Sequence, residues 1–178
     1  MLKRYKEFLK YYDKILAELS KTQQKYIVCK KGCSFCCENG DYPFSRLEME
    51  YLMAGFQLLP QEIKNVIISN INNISDKKRY RCPFLIDNAC VLYERRGITC
   101  RVHGLAYLYN GIVNLPECVN IGKNYSNVFI KSTKEVILPY PILESFRLDD
   151  IFNSKMFKRY DLEAGEIRSL IDWFNQEV

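Results

Sequence analysis

The 178-residue sequence contains a single histidine. A metal site in this chain must therefore draw mainly on other donors, and no H-E-x-x-H pair is present. No run approaches the ~18 apolar residues of a membrane-spanning helix. The first ten residues, Met1 to Lys10, carry charge on every turn and have no small-residue cleavage site, so they do not read as a signal peptide. Gly-rich phosphate loops and nucleophile elbows are missing, which removes the common nucleotide-binding and hydrolase motifs. No internal repeat or divisive linker interrupts the chain, so residues 1–178 are expected to form one domain. Apolar residues make up 48% and charged residues 26%, a balance that excludes a disordered or fibrous chain. These absences lead us to expect a cytoplasmic protein with no membrane segment.

What the sequence does have is cysteine, eight in all, at 29, 33, 36, 37, 82, 90, 100 and 118. That is about 4.5% of residues, above ordinary cytosolic usage and below a small disulfide scaffold. In a reducing compartment such thiols read as ligands or catalytic groups rather than disulfides. Cys29, Cys33, Cys36 and Cys37 form C-x3-C-x2-C-C, so one short loop can bring several sulfurs to one centre. Cys82, Cys90, Cys100 and Cys118 can then close the coordination and tie distant segments together. The formal charge of +5 counts all these thiols as neutral. Four thiolates around Zn²⁺ or a [4Fe–4S]²⁺ core add about −2, so the basicity is poor evidence for a polyanionic partner. Lys77 to Arg81 reads as a solvated loop, and nucleic acid is not an expected partner.

Apolar periodicity places the helices. Tyr5, Phe8, Leu9, Tyr12, Ile15, Leu16 and Leu19 define an amphipathic helix over roughly residues 2–25. Ser45-Arg-Leu-Glu48 has the form of a capping box before Met49, Leu52, Met53 and Phe56. Pro60 opens a further helix with Ile63, Val66, Ile67 and Ile71 as its stripe. Asn110-Gly111, flanked by Leu105, Tyr107 and Tyr109 and by Ile112 to Leu115, predicts a type I′ hairpin. Asp161 to Val178 is expected to be helical, with Ile167, Leu170, Ile171 and Phe174 on one face. The expected fold is an α-rich α+β class: several helices around an irregular cysteine-rich centre spanning residues 29–118, with one β-hairpin.

The order C-x3-C-x2-C-C, then Cys82-Pro-Phe-Leu, Cys90-Val-Leu-Tyr-Glu-Arg-Arg and Cys100-Arg101, resembles the CxxxCxxCC cysteine-cluster family. Its members are described as zinc- or iron-chelating, YkgJ-like or iron–sulfur-cluster-containing proteins. The resemblance covers roughly residues 29–101 and its seven family cysteines, with Cys118 an eighth candidate. Where the family usually has Arg-Pro before the last C-R, this chain has Arg96-Gly97. The family's relative, flagellin lysine-N-methylase, implies one enzymatic alternative, protein-lysine N-methylation or a related modification.

All-thiolate coordination suits both zinc and iron–sulfur clusters. The sequence favours a [4Fe–4S] cluster: four sulfurs crowd one loop, no second C-x2-C exists, and adjacent Cys36 and Cys37 are expected to point at different metal atoms. Gly32 is expected to permit close backbone approach, and Phe35 to shield a cluster. The first choice of ligands is Cys29, Cys33 and Cys36 with Cys100, although eight thiols equally allow two four-thiolate centres. Cys118, outside the main motif, also reads as a small buried hydrophobe. Arg95, Arg96 and Arg101 flank Cys100, and Lys30 and Lys31 flank Cys33, where they can offset thiolate charge. Of these, Arg101 is taken as the cofactor-contacting residue. His103 reads as structural. The spacing Cys29-x3-Cys33-x2-Cys36 also matches the radical S-adenosylmethionine motif, but the strand–helix series of such a barrel is lacking. Three functional classes follow: a cluster protein with a redox or sensing role and an unidentified redox or protein partner, a cluster-bearing modifying enzyme, or a zinc-stapled interaction module.

Overall fold

The computed structural model describes residues 1–30, 32–133, 135–136 and 147–175. Helix α1 (Leu2–Gln23) buries Tyr5, Phe8, Leu9, Tyr12 and Leu16, the face its apolar spacing predicts, and a 3-10 turn at Gln24–Tyr26 ends it. Past the first cysteines, the single turn α2 (Phe35–Glu38) carries Cys36 and Cys37, a stretch the sequence reads as loop. Strand β1 (Pro43–Ser45) runs into α3 (Arg46–Phe56) through the expected capping box. Ser45 Oγ accepts the Glu48 N–H at 3.2 Å, and Glu48 Oε2 accepts the Ser45 N–H at 2.8 Å. Helix α4 (Gln61–Asn72) follows Pro60, with Ile67 fully buried. Val66, assigned to the apolar stripe, is exposed because only a narrow face of this helix meets the core.

Two hairpins follow. Strands β2 (Leu85–Ile86) and β3 (Ala89–Cys90) join through Asp87 and Asn88, both at positive φ (49° and 59°). The expected fold has no type I′ turn here, although Asp and Asn tolerate that region better than most residues. Helix α5 (Ile98–Val102) carries Cys100. Strands β4 (Tyr107–Tyr109) and β5 (Ile112–Asn114) form the predicted hairpin, with Asn110 at φ 50° and Gly111 at φ 75°. A 3-10 turn at Glu117–Ile121 presents Cys118, and β6 (Phe129–Ile130) pairs with β7 (Glu135–Val136).

The C-terminal part departs most from expectation. Helices α6 (Leu148–Asn153) and α7 (Lys155–Lys158) precede β8 (Ile167–Ser169), which pairs antiparallel with β1, Phe44 opposite Arg168. Only α8 (Leu170–Phe174) of the expected helix over 161–178 forms within the described residues, and residues 176–178 lie outside them. Gly165, at φ 72°, turns the chain, and the carbonyls of Glu166 and Ala164 accept the N–H groups of Arg46 and Leu47 at 2.8 and 3.0 Å. Ile167 is thereby drawn into a strand, and Ser169 caps the shorter helix by accepting the Asp172 N–H. Instead of one hairpin, the described residues contain four two-stranded antiparallel pairs, within an α-rich α+β fold.

Three apolar clusters organise the interior. One centres on α1 and takes Leu47 and Tyr51 of α3, Ile98, Ile151, Phe152 and Phe157. A second gathers Phe44, Met49, Leu52, Ile67, Phe84, Leu92 and Leu170. The third is small: Tyr26, Ala106, Val119 and Tyr125. Cys82, Cys90 and Cys100 pack against the second cluster.

Candidate metal centre

All eight thiols are free. Three are placed by apolar packing. Cys82, Cys90 and Cys100 are half-buried against the second cluster, beside Phe84 and Leu92. Cys37 joins them through its carbonyl, which accepts the Cys82 N–H at 2.7 Å. The β2–β3 hairpin sets the spacing between Cys82 and Cys90, with Leu85 opposite Cys90 and the Val91 N–H bonded to the Phe84 carbonyl at 3.0 Å. Burial pushes the Cys82 thiol up to about 12 and Cys100 well above its ordinary value. Each sulfur lies within electrostatic reach of others in this group. Backbone N–H groups of Phe84 and Leu92 reach the sulfurs of Cys82 and Cys90 and favour their thiolates.

Cys100 owes its position to α3 and α1. Glu48, fully buried, uses its second carboxylate oxygen to accept the Ile98 N–H at 2.7 Å, so the α3 capping box also anchors the start of α5. Arg101 binds Asp13 of α1 at 2.6 and 2.5 Å and donates to the carbonyls of Arg96 and Glu94, each at 3.0 Å. These bonds hold α5 against α1; none reaches a sulfur. Arg96 is the arginine whose charge reaches the thiols of Cys36 and Cys90. Its guanidinium also covers the Tyr93 ring at 3.7 Å. Arg95 stacks over Tyr51 at 4.9 Å.

The remaining sulfurs are placed by polar contacts. Asn124, fully buried, accepts the Val28 N–H at 2.9 Å and donates to the Gly104 carbonyl at 2.9 Å and to Cys29 Sγ at 3.1 Å. Cys118, buried in its 3-10 turn, has its carbonyl bonded to the Lys123 N–H at 3.1 Å and lies within electrostatic reach of Cys33. Lys123 Nζ is 3.9 Å from Cys33 Sγ and 5.5 Å from the Phe35 ring. Cys29 is the exposed member of the set, yet burial of its thiol still raises its pKa. Lys30 is exposed and Lys31 lies outside the described residues, so Lys123 supplies the ammonium here. Gly32 has open space where a side chain would stand, and its φ of 90° explains the glycine better than close approach does.

Cys36 and Cys37 join the two groups. Their sulfurs are 3.9 Å apart, so adjacency does not drive them to opposite sides, and that argument for a cluster over zinc falls away. Their mutual hydrogen bond lowers the Cys36 pKa and raises that of Cys37. The Tyr42 hydroxyl donates to the Cys36 carbonyl, and the Tyr42 ring meets His103 edge-on at 5.1 Å. Phe35, Cys36, Tyr42 and His103 border an open cleft of about 540 Å³. Burial lowers the His103 pKa, consistent with a neutral, packed imidazole.

The donor set is thiophilic throughout, which fits zinc or iron–sulfur ligation and disfavours hard oxygen-seeking cations. Among the described residues, no three His, Cys, Asp or Glu side chains converge tightly enough to hold one ion as they stand. The two groups are neighbourhoods of sulfurs, not closed coordination shells. Asn124 and Lys123 had no metal-site signal in the sequence; their role depends on a fold that brings residue 124 to residue 29.

A family model described as "Putative zinc- or iron-chelating domain" matches residues 28–126, more than half of the chain and all eight cysteines. No curated protein and no solved structure matches.

Proposed function

The chain belongs to the family of zinc- or iron-chelating domains, and from that membership we propose that its thiols bind iron as an iron–sulfur cluster, [4Fe–4S] in type. The role would be redox, sensing or cluster-dependent modification. The observation that carries this reading is the gathering of eight free thiols from loops, helices and a strand into two adjoining neighbourhoods. A bound cluster supplies one-electron chemistry, or an open iron position where only three thiolates hold it. The chain's own residues present the sulfurs, direct N–H groups at Cys29, Cys82 and Cys90, and exclude water with Phe84 and Leu92. Free thiols in place of disulfides agree with a reducing, cytoplasmic setting. Because α3 contributes to two of the apolar clusters, one domain is the simplest organisation.

The test is anaerobic purification with iron, zinc and acid-labile sulfide analysis and visible spectroscopy before and after reductant. Iron and sulfide in equal amounts, with absorbance that bleaches on reduction, are expected. A colourless protein carrying zinc alone would overturn the cluster reading and leave a zinc-stapled module. A chain with neither metal would overturn metal binding itself.

A further inference from the structure

Building on the metal-binding reading above, we propose that the eight thiols form two separate four-thiolate centres, Cys29, Cys33, Cys36 and Cys118 in one and Cys37, Cys82, Cys90 and Cys100 in the other. The division follows the local scaffolds. Asn124 fixes Cys29, while its neighbour Lys123 both bonds the Cys118 carbonyl and reaches Cys33 Sγ, so one short segment organises three of the first four sulfurs. The second four share a different scaffold: the Cys37 carbonyl holds the Cys82 N–H, the β2–β3 hairpin holds Cys90, and Glu48 holds the start of the Cys100 helix.

The single turn α2 supplies one thiol to each side. The sulfurs of Cys36 and Cys37 are 3.9 Å apart, and Cys36 lies within electrostatic reach of Cys82, Cys90 and Cys100 as well as of Cys29 and Cys118, so the two centres adjoin at this turn and the division runs between its two thiols. Cys36 borders the open cleft and Cys37 does not. Cys100, the first choice from the sequence to complete Cys29, Cys33 and Cys36, lies with the hairpin sulfurs, and Cys118 takes its place. The centres also differ in character. The second is enclosed by Phe84, Leu92 and their cluster, as a closed structural site is. The first borders solvent through Cys29 and the cleft, so its metal is the more exchangeable.

The test measures metal per chain, with sulfide where present, in the full-length protein and in C118S, C33S and C90S variants. Wild type is expected to carry twice the metal of a single tetrathiolate centre, and each variant to retain about half. C118S and C33S should lose the chelator-labile half, and C90S the resistant half. Should C90S fail to fold, the wild-type stoichiometry and the solvent-side variants still decide. One centre's worth of metal in wild type, or complete loss in C118S and C33S, would overturn the division while leaving metal binding intact. No metal in wild type would overturn both.

Discussion

Around Cys82, Cys90 and Cys100 the protein places sulfur by packing. The half-buried thiols pack against the cluster that holds Phe84, Leu92 and Ile67, and their geometry is set by a hairpin and a helix start inside the core. Around Cys29, Cys33 and Cys118 it places sulfur by hydrogen bonds, with one asparagine and one lysine doing what the apolar cluster does on the other side. Packing resists local opening because many contacts must break together, whereas a polar anchor concentrates the same task in a few bonds. The two regions should therefore fail separately and by different substitutions.

The largest expected effect is on the polar side. Asn124→Ala leaves the Val28 N–H and the Gly104 carbonyl without their partner, and should destabilise the metal-free, reduced protein by about 2–4 kcal/mol in urea unfolding. Timed alkylation followed by mass spectrometry should show Cys29 reacting faster and Cys100 unchanged. Equal acceleration at both would mean that the regions open as one unit.

Gly97→Ala attacks the other side. A methyl group there would meet Phe44 Cε1 at 2.7 Å and Glu48 Oε1 at 2.9 Å, so a loss of about 1–3 kcal/mol is expected. Alkylation should then quicken at Cys100 and not at Cys29. The backbone at Gly97, with φ −67°, is one that proline adopts, so the Arg-Gly that departs from the family pattern preserves the local path. What glycine adds is room for the Glu48 carboxylate.

Asp13→Asn weakens the bidentate bond to Arg101, whose side chain is 4% exposed while that of Asp13 is 46% exposed. Solvent on the aspartate side screens the pair, so about 1 kcal/mol is expected. The loss should appear in the unfolding midpoint and, weakly, in the Cys100 alkylation rate. Lys123→Gln should be the mildest change, within about 0.5 kcal/mol in unfolding, because the residue is only half-buried and its contact with Cys33 Sγ is a long one at 3.9 Å. A loss above about 2 kcal/mol there would show that the lysine, and not Asn124, anchors the polar side.

A pH test bears on the packed side. Burial raises the Glu48 pKa, so the carboxyl is more easily protonated in the folded than in the unfolded chain. Its contribution is fully present below the unfolded value and is lost as pH rises through the folded one. Glu48→Gln should therefore flatten that part of the stability–pH curve for the metal-free protein; an unchanged slope would exclude Glu48 as its source.

Much of the fold is legible in the residues. The periodicity of Tyr5, Phe8, Leu9, Tyr12 and Leu16 predicts the buried face of α1, and Asn110-Gly111 predicts its hairpin, because both signals are local and their geometry is set within a few residues. The tail from Asp161 misleads for the opposite reason. Ile167 sits at helical spacing from Leu170 and Ile171, yet pairing with Ser45, a partner far away in sequence, makes it a strand. Asp87-Asn88 is readable in principle as a left-handed pair, but it lies between two cysteines, where its residues read first as spacers between ligands.

For the site itself, sequence alone determined which candidate donors are on offer: eight thiols, one histidine, and spacings that let a single loop carry four sulfurs. It also determined the Ser45–Glu48 capping box, whose bonds span three residues. Only the tertiary structure decided that the second oxygen of Glu48 fixes the Cys100 helix, that Arg101 serves Asp13, and that Asn124 holds Cys29. The reason is physical. Local spacing sets what a segment can offer, whereas the partner of a buried polar atom is set by whichever distant donor or acceptor the packing brings within about 3 Å.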